Sequence, residues 1–333
     1  MQPSRQGISR AELITVVVVA VVIVGLLLPW IINRRGLSQR SFCELRQIGV
    51  SKGLFLHAVE SPTFPGYREI QAILPGEKLV ETNWVFPVLP YVHPLGSEIA
   101  DRIKDAKIQE LESADDRELL GDSRYRQIYD NFGPRGELAG KKVSDYIVEL
   151  VCPESGKMPT AELPQPISFI VNCGMPDRKT DQGPLDHLSN GVFFDRVGGS
   201  ALMSLDYLTN NDGLQETLLL SENLDTGQTF DASENLVGFV WIDSEVDGIA
   251  DRDPQRLLGI NQRASEAKGY ALSRPSSFHS GGVNVAFADG STKFLSEKID
   301  YLAYVQYMTA SGYEVKVAGS DDNAKDPYRL SRE

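Results

Sequence analysis

The chain has 333 residues, 41% of them hydrophobic and 24% charged, and a net charge of −13 at pH 7, so it can bury a substantial core as one large domain or two small ones. Residues 1–46 hold six Arg against Glu12 and Glu44, a net +4, which leaves −17 on the remainder; an acidic domain argues against nucleic acid as a partner, because phosphate contacts need clustered Lys and Arg. The three cysteines, Cys43, Cys152 and Cys173, contain no CxxC pair, which disfavours a structural zinc site, and an oxidising compartment would permit one disulfide and leave one thiol.

The first element in chain order is the uncharged run Leu13–Ile32, LITVVVVAVVIVGLLLPWII. Twenty residues rising about 1.5 Å each span roughly 30 Å, the thickness of a bilayer's hydrocarbon core, which predicts a transmembrane helix. A removable secretory signal would have an apolar region of about 7–15 residues ending in an A-x-A-like site, and neither feature is present. Instead a polar leader, Met1–Gly7, precedes the run, and a lone carboxylate, Glu12, stands five positions after Gly7 beside hydrocarbon, where ionisable groups are costly.

This arrangement resembles a type IV prepilin. The resemblance implies that a prepilin peptidase cuts between Gly7 and Ile8 and leaves the helix attached. It also implies that Glu12, the fifth residue of the product, serves assembly with other pilin-like subunits, and that Pro29, at mature position 22, kinks the helix. A plain uncleaved anchor is the alternative. Arg34, Arg35 and Arg40 follow the span whereas only Arg5 and Arg10 precede it, so loop charge alone would keep the carboxyl side in the cytoplasm. The leader motif takes precedence here, since long domains translocate with little regard for charge. The expected location is the bacterial cytoplasmic (inner) membrane, crossed once, with the ectodomain on the periplasmic or extracellular side.

After the span, Phe42, Leu45, Ile48, Gly49, Phe55, Leu56 and Val59 fall within about half a turn's arc at 100° per residue, which predicts an amphipathic continuation of the helix. Cys43 lies opposite that arc. Gly49 and Gly53 border it, either as places where another backbone comes close or as weak spots in an ordinary helix. Ser61, Pro62, Pro65 and Gly66 end the helix, giving a helical unit over residues 8–60.

Cys43, Leu45, Gln47, Ile48, Gly49, Leu56, His57 and Phe64–Gly66, then NWVFPVLPY at 83–91, Cys152-Pro153, and DGLQETLLLSE at 212–222 follow one another along the chain. In these residues the chain resembles bacterial prepilin-type proteins with an H-X9-DG carboxyl-terminal domain, domain of unknown function 1559. Residues 98–145 are charged, helical in pattern and look inserted or diverged. The likeness implies a Cys43–Cys152 disulfide, with Cys173 as a rival partner for Cys152.

The sharpest part of the resemblance is SFHSGGVNVAFADGSTKFLS at 277–296, where His279 is followed after nine residues by Asp289-Gly290. Alternation of Val283, Val285 and Phe287 with Asn284 and Ala286 before an Asp-Gly pair predicts a hairpin with a two-residue type I′ turn. In that geometry both Asp289 and Gly290 need positive φ, and Thr292, Phe294 and Ser296 face the valines. His279 is left between capping the hairpin's base, lining a ligand pocket and binding metal. Residues 297–310 repeat apolar side chains at helical spacing, and the tail 319–333 is polar and expected to be disordered.

Chemistry is sparse. No nucleophile elbow, phosphate loop, HExxH or dinucleotide fingerprint occurs, so no catalytic residue and no cofactor is assigned. Asp243, Glu245, Asp247 and Asp251 copy positions 1, 3, 5 and 9 of a calcium loop, but position 12 is Pro254 instead of the bidentate Glu, which makes a solvated acidic turn the better reading than weak calcium binding.

The expectation is therefore an α+β protein: a long N-terminal transmembrane helix, then residues 61–318 as an ectodomain built on an antiparallel sheet with packed helices. Its expected role is structural or assembly-related in a pilin- or pseudopilin-like envelope system. The alternative is a cell-surface protein that binds a solute or carbohydrate.

Overall fold

A single helix, α1, runs for 51 residues from Arg10 to Glu60 and organises the fold. The computed structural model describes residues 10–74, 78–94, 96–97, 147–158, 165–176, 178–180, 183–185, 187–197, 201–227, 229, 231–241, 259–262 and 269–312, and for residues 11–12, 26–38, 71–74, 78–80, 178–180 and 183–185 the backbone alone. Gly7, Ile8, the acidic loop 243–251 and the tail lie outside the described residues, as do the side chains of Glu12 and Pro29. Among the described residues no helix is long and apolar enough to cross a membrane; residues 26–32 of the uncharged run are among those without described side chains.

After α1 come an antiparallel pair, β1 (Arg68–Leu74) and β2 (Lys78–Asn83), and a short helix, α2 (Val85–Val92). Asn83 Oδ1 accepts the Val85 N–H at 2.9 Å, satisfying one of the orphan donors at the start of α2. Then follow β3 (Phe169–Gly174), the small pair β4 (Arg178–Thr180) and β5 (Gly183–Leu185), α3 (Leu205–Asn210), β6 (Leu218–Glu222), α4 (Glu234–Val237), β7 (Gly238–Val240), β8 (Gly282–Phe287), β9 (Thr292–Ser296) and α5 (Tyr301–Met308). The main sheet has the order β7-β3-β6-β8-β9. Its pairs are antiparallel except β3–β7, which is parallel, so the α+β class is found with a mixed sheet in place of a wholly antiparallel one.

The sheet is covered on both faces, which is why β3, β6 and β8 are buried throughout. On one side α1 and α2 contribute Val50, Leu54, Trp84, Val88 and Leu89 to a core with Phe169, Val171, Leu220 and Ala286. On the other, α5 supplies Tyr304, Val305 and Met308 against Ile170, Leu218, Val283, Val285 and Phe287. Burying about one such aliphatic side chain is worth roughly 1.5–3 kcal/mol, and the strict inward and outward alternation along β8 lets a single strand feed both cores.

The α1 helix meets the domain with the face opposite to the apolar arc. Cys43, Gln47, Val50, Ser51, Gly53, Leu54 and Ala58 are buried, whereas Phe42, Leu45, Gly49, Leu56 and Val59 are exposed. Of the two glycines, Gly53 is the site of close approach: a Cβ there would sit 2.7 Å from Val92 Cγ2 and 3.0 Å from Val88 Cγ1 of α2, while one at Gly49 would meet nothing within 4 Å.

The β8–β9 hairpin corrects the expected turn. The Gly290 N–H donates to Phe287 O and the Phe287 N–H to Ser291 O, each at 2.9 Å, which closes a three-residue loop, Ala288–Asp289–Gly290. Gly290 has a φ of 81°, but Asp289 does not have positive φ; among the described non-glycine residues Asn261 alone does. Asp289 instead uses Oδ1 to accept the Ser291 N–H at 2.8 Å, an Asx-type bond that stabilises the turn from its side chain. One residue more in the loop shifts the pairing by one and flips the strand faces. Val285 therefore pairs with Lys293 and Asn284 with Phe294, and Thr292 and Phe294 face α1 through a Thr292–Glu44 hydrogen bond of 3.0 Å and the Arg40 guanidinium 3.8 Å over the Phe294 ring.

Candidate functional site

Four segments remote in sequence converge where α1 crosses the sheet. Helical phase turns Cys43 and Gln47, one turn apart, toward the strands. A single turn of 3-10 helix, Pro153–Ser155, follows Cys152 and presents Glu154. Strand β6 ends on Glu222, and the loop before β8 carries His279. The structure joins Cys43 to Cys152 by a disulfide with a Cα–Cα distance of 4.8 Å. Cys173 is buried in β3, its thiol 3.7 Å from Val171 O.

His279, 5% exposed, lies between two carboxylates. Its Nε2 is 3.0 Å from Glu222 Oε1, and its Nδ1 contacts Glu154 Oε2. Glu222, 2% exposed, accepts the Asn284 N–H on Oε2 at 2.8 Å and the Asn284 amide on Oε1 at 3.2 Å. The Gln47 amide donates to Asn284 O at 3.1 Å and Leu220 O at 3.3 Å, so α1 is bonded to the backbones of β6 and β8. Cys152 Sγ is 3.8 Å from His279 Nε2, placing the disulfide against the imidazole.

Burial by itself would lower the pKa of His279, but the hydrogen bond and charge of Glu222, and then the charge of Glu154, outweigh it and raise the value above the ordinary 6.5. An imidazole donating from both nitrogens to carboxylates is the protonated form. The cluster is thus an acid–imidazole–acid stack in which His279 and Glu222 are buried and Glu154 is partly exposed, the kind of arrangement that stabilises little beyond its hydrophobic replacement but destabilises strongly when one partner is removed.

A second partly buried ionisable group, Lys157, stands near this cluster in sequence. Lys157 Nζ donates to Ile167 O at 2.9 Å and to Thr226 Oγ1, and burial pushes its pKa down to about 7 against the opposing pull of Asp225. Its donors end on backbone and hydroxyl oxygens that tie residues 157, 167 and 226 together, which is a structural use of an ammonium group.

His279 and the disulfide, two of the features singled out in the sequence, are brought together. Asp289 and Gly290 are at the far end of β8 in the turn and do not join them. Glu154, Glu222, Gln47 and Asn284 were not expected as site residues, although each lies in or beside a quoted motif: Glu154 follows Cys152-Pro153, Glu222 closes DGLQETLLLSE, and Gln47 and Asn284 sit within matched stretches. A carboxylate at a strand's end reads as solvated until the partner histidine is placed over it, so no local signal separates these residues from surface groups.

Residues 173–302 match the model of a family described as protein of unknown function (DUF1559). The match takes in Glu222, His279, Asn284 and the Asp289-Gly290 turn, and leaves α1, Cys43 and Cys152 outside it. No curated protein and no solved structure matches the chain.

Proposed function

We propose that this chain is a membrane-anchored, pilin-like envelope protein of the prepilin-type H-X9-DG family, processed after Gly7, anchored through Leu13–Ile32 in the bacterial cytoplasmic membrane, and structural or assembly-related in role. The family match at residues 173–302 supports the C-terminal half of this reading. The observation that carries the assembly part is the outward face of α1. Phe42, Leu45, Leu56 and Val59 are 45–61% exposed, and with Gly49 they follow the spacing 3, 4, 7, 3 that marks a helix-packing seam. Toward the amino terminus, Leu13, Ile14, Val16–Val19 and Val21–Val24 are 50–65% exposed on every side of the helix. An all-round apolar helix suits lipid, and a one-sided apolar stripe suits a neighbouring helix. A flat small residue, Gly49, at the centre of the stripe leaves room for that neighbour.

In this reading Glu12 is kept beside hydrocarbon because the new α-amino group of a neighbour's Ile8 is its positive partner, an unpaired charge at a helix centre being worth about 2.5–3.5 kcal/mol on insertion scales and less near the interface. The test compares wild type, Glu12→Ala and Leu45→Glu at equal membrane abundance. Amino-terminal sequencing should begin at Ile8, and crosslinked or sheared-filament recovery should fall for both variants. A chain starting at Met1, or equal recovery of all three, would remove the pilin-type role. No assembly of any of them would favour a monomeric surface protein that binds a solute or carbohydrate.

A further inference from the structure

We infer that Cys43, Cys152, Glu222 and His279 are a redox-gated site for a divalent transition-metal ion, closed while the cysteines are joined and open to metal once they are reduced. Four donor atoms, the two Sγ, one carboxylate oxygen and one imidazole nitrogen, lie within 4.8 Å of one another, and all four residues are buried. Two thiolates, an imidazole and a carboxylate are a ligand set that zinc takes in tetrahedral sites, where bonds of about 2.0–2.3 Å put neighbouring donors roughly 3.3–3.8 Å apart. The spacing of His279 Nε2 from Glu222 Oε1, 3.0 Å, and from Cys152 Sγ, 3.8 Å, is close to that range already. The largest change required is the separation of the two bonded sulfurs.

The surroundings of the four residues add an independent argument. Glu154 on Nδ1 turns Nε2 toward Cys152 Sγ and Glu222, the outer-shell arrangement that orients a metal-ligating histidine. Asn284 holds Glu222 with two hydrogen bonds.

The balance of the step is simple. A dithiol reductant gives two electrons and two protons to the Sγ–Sγ bond, leaving two cysteine thiols and the disulfide of the reductant. The metal ion then displaces the two thiol protons and the Nε2 proton of His279, as metal binding to thiols and histidine requires. In reverse, a disulfide oxidant takes up the two electrons and two protons and becomes a dithiol, the Sγ–Sγ bond re-forms, and the ion, having lost both thiolate ligands, leaves as Nε2 regains its proton. This goes beyond the assembly reading and does not depend on it, because Cys43 is on the inward face of α1 and the other three residues lie in the ectodomain.

The probe is Co2+ added to the full-length protein, oxidised or reduced with a thiol or phosphine reductant. Reduced wild type should take up a single equivalent with an intense thiolate-to-cobalt band and tetrahedral visible bands, and the oxidised protein should show neither. Cys43→Ser and Cys152→Ser should each lower the intensity of the band to about half or less, the pair together should remove it, and Glu154→Gln should weaken binding about 10–100-fold, as outer-shell changes do. Cys173→Ser should leave both affinity and spectrum unchanged. The inference is overturned if reduced wild type shows no thiolate band, or if His279→Gln binds Co2+ as tightly and with the same spectrum. Should reduction unfold the chain, it is refolded reduced with and without Co2+; absence of uptake in that arm overturns the inference equally.

Discussion

Along α1, Cys43, Gln47, Val50, Ser51, Leu54 and Ala58 turn toward the sheet, and Phe42, Leu45, Gly49, Lys52, Leu56 and Val59 turn away from it. The outer face is the more hydrophobic, yet the domain keeps the inner one. What holds the inner face is specific: a disulfide to Cys152, an amide bonded to two strand backbones, and a glycine against which α2 packs. The difference teaches that greater apolarity does not by itself identify the face of a helix that its domain uses. The side that makes the directional bonds is the one the domain holds.

The largest test of that contrast is Glu222→Ala. It leaves the His279 imidazolium with one carboxylate and the Asn284 N–H without its acceptor, and should lower the stability of the domain by about 3–5 kcal/mol in urea unfolding. A loss below about 1 kcal/mol would mean that His279 and Glu222 do not form a buried charged pair beneath α1.

Next in size is the covalent link. Cys43→Ser should destabilise by about 2–5 kcal/mol, since a crosslink over 109 residues of sequence strongly restricts the unfolded chain. Non-reducing peptide mapping should recover Cys43 with Cys152. Recovery of Cys152 with Cys173 would detach the inner face from its proposed anchor.

A smaller effect is expected with pH. Because the folded pKa of His279 lies above its ordinary 6.5, its contribution is fully present below pH 6.5 and is lost as pH rises through the raised folded value. Lys157 works in the other sense between about 7 and its ordinary 10.5, where the unfolded chain holds the extra proton. The measurement is therefore the difference in unfolding free energy between wild type and His279→Gln, in which Lys157 cancels. That difference should shrink as pH rises above 6.5, and a difference that stays level would show that His279 is neutral in the folded protein.

The finest comparison uses the two glycines. Gly49→Ala, on the open side, should stabilise the helix by about 0.5–1 kcal/mol. At Gly53 the new Cβ would meet Val92 at 2.7 Å, and crowding of about 1–3 kcal/mol should exceed the helix gain. Thermal unfolding reads both signs. If both variants stabilise, α2 is not closely seated on the inner face.

The sequence by itself determined the long helix, its break after Glu60 and the strand and helix character of residues 282–308; the pairing of Cys43 with Cys152 was implied by the family resemblance with Cys173 left as a rival, and it is the structure that joins the two. Each depends on local periodicity, on turn-forming residues or on a pattern of matched positions. Tertiary structure decided which face of α1 is buried, because helical phase defines an arc but not what will lie against it. It also decided the loop between β8 and β9: Asp-Gly is compatible with a two-residue or a three-residue turn, and the choice depends on Phe294 and Thr292 reaching Arg40 and Glu44 on α1. Most of all it decided the site. Glu154, Glu222 and His279 are separated by 68 and 57 positions, and a carboxylate becomes half of a buried ion pair only after the chain has folded and removed water from around it.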